Sequence, residues 1–79
     1  MEREAAREAE EAKQEAAELA AVQAMNAVVI AELELEALPG EATPLQRAQA
    51  GAKLEVARLQ ANVAYRKAGW SEPFPEARP

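Results

Sequence analysis

The order of apolar and polar positions divides the chain into two helical stretches separated by a short break. Residues 2–38 contain no Gly or Pro, and Ala, Glu, Leu, Arg, Lys and Gln dominate them. Because these residues have the highest helix propensities, a first helix is predicted over 2–38. The break begins at Pro39, which disfavours helical geometry in Leu38, and continues with Gly40, which can close a helix end. Residues 39–43 are therefore predicted to form a turn.

A second helix is predicted directly after the turn, over residues 44–68. Thr43 followed by Pro44 is typical of a helix start, since threonine caps the first amides and proline suits the first helical position. Gly69 is the expected end of this helix, and Gly51 is a weak point inside it.

The two predicted helices and the residues after them define the overall organisation. Because a connection this short places two helices side by side, the sequence predicts an all-α, antiparallel two-helix hairpin over residues 1–69. Residues 70–79 are polar and rich in proline, and they are predicted to form an extended tail. Two interpretations of its aromatic residues stay open. Either Trp70 caps the core of its own hairpin, or the tail crosses to a neighbouring subunit with Trp70 and Phe74 as anchors.

Apolar positions fall on more than one face of each helix. In the first helix, one stripe at helical spacing consists of Leu19, Val22, Val29 and Leu33. In the second helix, the stripe expected to pack on the first helix consists of Leu45, Ala52, Val56, Leu59 and Val63. Another stripe, displaced by more than about 90°, consists of Leu54, Ala57, Ala61, Ala64, Tyr65 and Ala68. That stripe is left without a partner in the same chain.

The segment 24–32 raises the same problem in the first helix. At about 100° per residue, its large apolar side chains spread over more than half of the helix circumference. Since a two-helix hairpin rarely buries enough apolar area to fold alone, another chain is expected to cover them. We predict a homo-oligomer or a complex with a protein partner, the alternative being a loose monomer. The predicted interface residues are Met25, Val28, Val29, Ile30, Leu54, Tyr65, Trp70 and Phe74.

Composition excludes most catalytic chemistry. The 79 residues include no cysteine and no histidine, so thiolate and imidazole chemistry and the usual transition-metal ligands are missing. This length gives one small domain, too short for an enclosed enzyme cleft. The sequence therefore predicts a protein that is not an enzyme and that holds no metal and no cofactor.

Charge is distributed unevenly along the chain. Residues 1–41 hold eleven Glu against three basic residues, a balance of −8, whereas residues 42–69 have a balance of +4. An acidic half and a basic half attract each other when the chain folds back. The longest uncharged run, residues 19–31, has thirteen residues, fewer than the roughly 20 that span a bilayer. No membrane partner is expected, and the predicted location is the cytoplasm.

One line of polar side chains on the second helix is the candidate site for an anionic ligand. Arg58, Asn62 and Arg66 are spaced at i, i+4 and i+8, and Lys67 lies toward the other edge of the apolar stripe. Two guanidinium groups with an amide between them suit phosphate oxygens and a base edge, so these four residues are the predicted ligand contacts. Two alternatives stay open. The cations pair with glutamates of the first helix, or Asn26 and Asn62 fix the register between chains.

The second helix also resembles a known family. The stretch KLEVARLQANVAYRKAG, residues 53–69, is similar to small phage hairpin proteins that sequester the cyclic oligonucleotide signals of bacterial CBASS and Thoeris defence. The matching residues are Lys53, Leu54, Glu55, Ala57, Ala61, Asn62, Ala64 and Gly69. The resemblance implies an oligomer with nucleotide pockets between protomers, and it assigns the phosphate and base contacts to the four polar residues above.

A second resemblance concerns the turn. IAELELEALPGEAT, residues 30–43, together with the later Trp and the Pro-rich ending, is similar to the helical C-terminal part of phage tail-fibre assembly chaperones. The predicted function is an oligomeric, phage-type binding protein that sequesters cyclic oligonucleotides in the host cytoplasm as an anti-defence factor. One alternative is a structural or chaperone subunit that docks on a phage or bacterial protein. Another is an acidic inhibitor of a nucleic-acid-binding defence complex, of anti-CRISPR type, acting through residues 2–18.

Overall fold

The computed structural model of the chain describes residues 2–77, with side chains from residue 5 onward. Helix α1 runs over Glu2–Glu36, helix α2 over Pro44–Lys67, and a short 3₁₀ helix over Pro75–Ala77. No strand occurs among the described residues. The prediction of an all-α, two-helix hairpin is thereby confirmed. Met1 of the predicted hairpin and residues 78 and 79 of the predicted tail lie outside the described residues.

The two helices pack side by side and run in opposite directions. Near the turn, Lys53 Nζ lies 2.7 Å from Glu34 Oε2. At the other end of α2, Gln14 Nε2 of α1 donates a hydrogen bond to the Ala68 carbonyl at 2.8 Å. The turns of α1 before Gln14 therefore extend beyond α2, and residues 5–16 are exposed. The resulting molecule measures 64 × 22 × 14 Å, a long and flat hairpin.

Capping interactions define the ends of α2. The Thr43 side-chain oxygen accepts a hydrogen bond from the Gln46 N–H at 3.1 Å, and Gln46 Oε1 accepts one from the Thr43 N–H at 2.9 Å. Pro44 occupies the first helical position, where a missing N–H leaves nothing unsatisfied. After Ala68, Gly69 takes a φ of 79°, a left-handed geometry that glycine adopts without strain.

The core between the helices is built mainly of alanine methyl groups. The buried hydrophobic residues of the described chain are Ala21, Val28, Ala31, Leu54, Ala57, Ala61 and Ala68. Ala24, Met25, Leu35 and Phe74 pack against this core and are partly buried. Because alanine side chains are short, the two helix backbones can approach closely, but each alanine removes little area from water.

The predicted packing face of α2 is wrong. Most of the stripe expected to contact the first helix is exposed, with Val56 at 52% and Val63 at 49%, and Leu59 is half-buried. Ala57 and Ala61, which the sequence pattern left without a partner, face α1 instead and are buried. The short alanine side chains allow a closer approach than valines do. This rotation of α2 also brings Lys53 to Glu34 of α1.

Part of the predicted interface is also wrong. Val28 and Leu54 are 1% and 7% exposed, because they fill the centre of the hairpin's own core and are not available to another chain. Met25 and Phe74 are partly buried against that core, and Tyr65 is half-buried. The remaining three predicted interface residues, Val29, Ile30 and Trp70, are exposed.

Candidate functional site

The tail folds back onto α2 of its own chain, and Asn62 holds it there. Asn62 is 4% exposed. Its Nδ2 donates a hydrogen bond to the Phe74 carbonyl at 2.7 Å, and its Oδ1 accepts one from the Phe74 N–H at 2.9 Å. The 3₁₀ helix Pro75–Ala77 follows immediately, with the Ala77 N–H donating to the Phe74 carbonyl at 3.0 Å. The tail segment that contacts α2 is therefore fixed at its backbone.

The two arginines beside Asn62 contact the same tail. The Arg58 guanidinium lies 5.6 Å from the centroid of the Phe74 ring, and its Nη2 is 3.6 Å from Glu32 Oε1 of α1. Arg66 Nη1 lies 3.2 Å from Oε1 of Glu72, a tail carboxylate whose side chain is only 9% exposed. The ring contact is a cation–π interaction, and the carboxylate contact is an ion pair. Both arginines thus bind residues of the chain itself.

Only part of the predicted anion site is brought together. Arg58, Asn62 and Arg66 lie in one line as their spacing predicts, but the tail occupies that line. The cavity beside Arg58 has a volume of about 340 Å³, and the carboxylates of Glu55 and Glu76 line it, which disfavours an anion there. Lys67 is separate from the line, because it borders a groove on another face of the hairpin.

That groove follows the line along which α1 and α2 meet. Gln60 in the groove lies about 200° round α2 from Asn62, so the groove and the tail occupy different faces. The first part has a volume of about 480 Å³ and the second about 340 Å³, and Gln60 borders both. The apolar residues that line the first part are Ala17, Ala20, Ala24, Leu59, Val63 and Ala64. The groove is therefore an open, shallow surface of mostly small side chains.

Eight of the larger aliphatic side chains are exposed on the two helices. Those of α1 are Leu19, Val22, Val29, Ile30 and Leu33, each between 46% and 59% accessible. Those of α2 are Leu45, Val56 and Val63, of which Val56 and Val63 also border the groove. The hairpin thus keeps alanines inside and its larger aliphatic side chains outside, the reverse of an ordinary small domain.

The total surface is correspondingly large. The chain exposes 6102 Å², whereas a folded monomer of 8.5 kDa is expected to expose roughly 4,700 Å². Elongation contributes to the difference, and so does the thin core. Exposed aliphatic side chains grouped on one helix face mark sites where proteins bind other proteins or membranes.

The contacts of two residues in this arrangement could not be predicted from the sequence. Gln14 binds the last carbonyl of α2 across the hairpin, although it lies in the polar half of α1. Glu72 is a tail carboxylate whose partner, Arg66, becomes apparent only when the tail folds back. No group of three or more His, Cys, Asp or Glu side chains able to hold a metal ion is present among the described residues.

Over Ala5–Glu36, helix α1 meets the criteria of length and composition for a membrane-crossing helix. Core helices and signal sequences meet the same criteria.

Comparison of the chain with protein families, curated protein sequences and solved structures found no match.

Proposed function

We propose that this protein is a small, non-catalytic helical binding protein of the cytoplasm that acts as an oligomer. In this function, the outer aliphatic residues of α1 and α2 dock on other α-helices. One observation carries the proposal: five of the seven buried hydrophobic residues in the described chain are alanines, while the outer side chains are leucines, valines and an isoleucine.

The energetics favour an additional helix on the outer surface. Fully burying a Val, Leu or Ile side chain stabilises a structure by about 1.5–3 kcal/mol, far more than burying an alanine methyl. The hairpin alone obtains this gain from Val28 and Leu54, its two larger buried side chains. A second layer of helices would obtain it from up to eight further residues, the exposed aliphatic residues of α1 and α2. Association is thus the step that completes the core.

The geometry supports docking of protein helices over capture of cyclic oligonucleotides. A nucleotide in the predicted anion site would have to displace Phe74 from Asn62 and Glu72 from Arg66. The resemblance to phage hairpin proteins is compatible with the docking proposal, because it too implies an oligomer. A chaperone or structural subunit is the version in which the docked helix belongs to a different protein.

Sedimentation equilibrium of the purified full chain tests the proposal. We expect a concentration-dependent mass above 8.5 kDa. Replacing one aliphatic residue on each outer surface, Leu33→Gln with Val56→Gln, should return the mass to that of the monomer. The matched control is Ala48→Gln, at an exposed position of α2 outside both aliphatic surfaces. A cooperative, compact monomer at every concentration would contradict the proposed function.

A further inference from the structure

One face of α1 carries its large aliphatic residues at the spacing of a coiled coil. The residues of this face, called the α1 seam below, are Leu19, Val22, Asn26, Val29 and Leu33. Their separations are three, four, three and four residues, the repeat of positions a and d in two heptads. Asn26 occupies an a position in the middle of this series, with a valine and a leucine on each side.

The α1 seam is not used inside the hairpin. At about 100° per residue, its members lie on the side of α1 turned away from Val28, the centre of the core. Its four aliphatic side chains are 46–59% accessible, and Asn26 is exposed as well. The surface is therefore free to receive another helix without any change in the hairpin.

The chain exposes more surface than a folded monomer of its mass, 6102 Å² against roughly 4,700 Å². The α1 seam contributes to this excess, because its four aliphatic side chains are about half accessible. Burying the α1 seam of each copy would therefore cover part of the surface that the isolated chain cannot hide.

We infer that the occupant of the α1 seam is a second copy of this chain, packed parallel and in register so that Asn26 faces Asn26 of the partner subunit. This inference rests on the proposed function and names its partner and orientation. A single buried Asn at an a position fixes register and strand number in coiled coils, at a cost in stability. The α1 helices would form a parallel coil around the paired asparagines, with each α2 and each tail on the outside.

The asparagine selects the parallel orientation. In a parallel pair, position a meets position a, and the two Asn26 amides can hydrogen-bond to each other. In an antiparallel pair, position a meets position d, which sets Asn26 against Val22 or Val29 of the partner and leaves its amide unsatisfied. Leucine and valine would pair with their own kind throughout the parallel register.

One pair of flanking residues agrees with this register. Positions g and e of neighbouring heptads meet across a parallel pair, so the partly buried Met25 would contact Ile30 of the partner subunit. This contact covers Ile30, which is exposed in the isolated chain. The next d positions, one heptad away on either side, are Glu15 and Glu36. Their mutual repulsion across the pair ends the coil, which therefore spans the α1 seam alone.

Disulfide cross-linking tests the register directly, because the chain has no cysteine of its own. In the parallel coil the two copies of residue 29 face each other within the roughly 4.4–6.8 Å between Cα atoms that a disulfide spans. The full chain carrying Val29→Cys should form a disulfide-linked dimer under mild oxidation. The matched control is Ala48→Cys, at an exposed position of α2 outside both aliphatic surfaces, and it should stay largely uncoupled. Equal coupling of both variants, or coupling at residue 48 alone, would overturn the inference.

A charge at the centre of the α1 seam provides a second test. Asn26→Asp opposes two carboxylates in the parallel register and should weaken self-association about tenfold, equivalent to about 1.4 kcal/mol. The control Ala48→Glu adds the same charge at an exposed position of α2 outside both aliphatic surfaces and should leave association unchanged. Circular dichroism of both variants verifies that the helices remain formed. Equal association of the two variants would contradict the inference.

The outcomes separate this inference from the proposed function. A wild-type chain that is monomeric at all concentrations overturns both. An oligomer that neither couples through residue 29 nor responds to Asn26→Asp leaves the proposed function standing and overturns the α1 seam as its interface.

Discussion

The side chain of Asn62 binds both backbone groups of Phe74, donating to its carbonyl at 2.7 Å and accepting from its N–H at 2.9 Å. The amide thus supplies one donor and one acceptor to a single residue, as the backbone of a neighbouring strand does. Because Asn62 is buried, both of its hydrogen bonds to the tail backbone are shielded from water. These two bonds hold the tail against α2 as part of the folded unit. The tail in turn covers one face of α2.

Removing this amide should loosen the tail. Asn62→Leu retains a side chain of similar size but offers no hydrogen bond, so the Phe74 N–H loses its partner and the Phe74 carbonyl keeps only the Ala77 N–H. Each lost hydrogen bond costs about 0.5–1.5 kcal/mol, giving an expected destabilisation of about 1–3 kcal/mol. Urea denaturation followed by circular dichroism measures the free energy of unfolding.

The control for this change is Gln49→Leu, which removes an exposed amide from the same helix. It should alter the free energy of unfolding by less than about 0.5 kcal/mol. If Asn62→Leu and Gln49→Leu have the same midpoint, the tail contributes nothing to stability.

The alanine core predicts a strong response to added volume. Ala61 is completely buried between the helices, and Ala61→Leu should force them apart at a cost of about 1–3 kcal/mol. Ala48→Leu adds the same atoms on the exposed side of α2 and should leave unfolding nearly unchanged. Both substitutions keep a good helix former, so the comparison isolates packing. Equal stability of the two variants would mean that the helices do not meet at Ala61.

The helices could be predicted from the sequence because their signals are local. The absence of Gly and Pro before Pro39 and the Thr43–Pro44 start depend on backbone geometry within a few residues, and the structure places helices there. Which face packs inward could not be predicted in the same way. Val56 and Ala57 lie about 100° apart on two apolar stripes, and periodicity alone does not rank them. The alanine stripe packs inward because it lets the two helices approach each other more closely. That distance depends on both helices, so the pattern of one helix does not predict it.

The candidate site was predictable only in part, for a similar reason. Helical spacing correctly places Arg58, Asn62 and Arg66 in one line, but it contains no information about what covers that line. The tail covers it because Phe74 and Glu72 reach back over α2, a path that depends on contacts distant in sequence.

Replacing each of two glycines with alanine should change the stability of the protein in opposite directions. A Cβ added at Gly51 meets nothing within 4 Å, so Gly51→Ala should stabilise α2 by about 0.5–1 kcal/mol through helix propensity. Gly69 has a φ of 79°, and Gly69→Ala should cost roughly 1–2 kcal/mol in a left-handed conformation although space is free there. Thermal unfolding of the two variants measures both shifts. Shifts of the same sign would mean that Gly51 is not helical or that Gly69 is not left-handed.

Cyclic di- and trinucleotides should not raise the unfolding temperature of the intact chain. A ligand that binds only the folded state stabilises it in proportion to the logarithm of its concentration above Kd. Here the Asn62 amide is occupied by the Phe74 backbone, and Glu55 and Glu76 line the cavity beside Arg58. A dianionic ligand would have to break the tail contacts and face these two carboxylates, so no shift is expected over a titration of thermal unfolding. A rise that disappears in the double variant Arg58→Ala, Arg66→Ala would show that the tail leaves and that the nucleotides occupy its place.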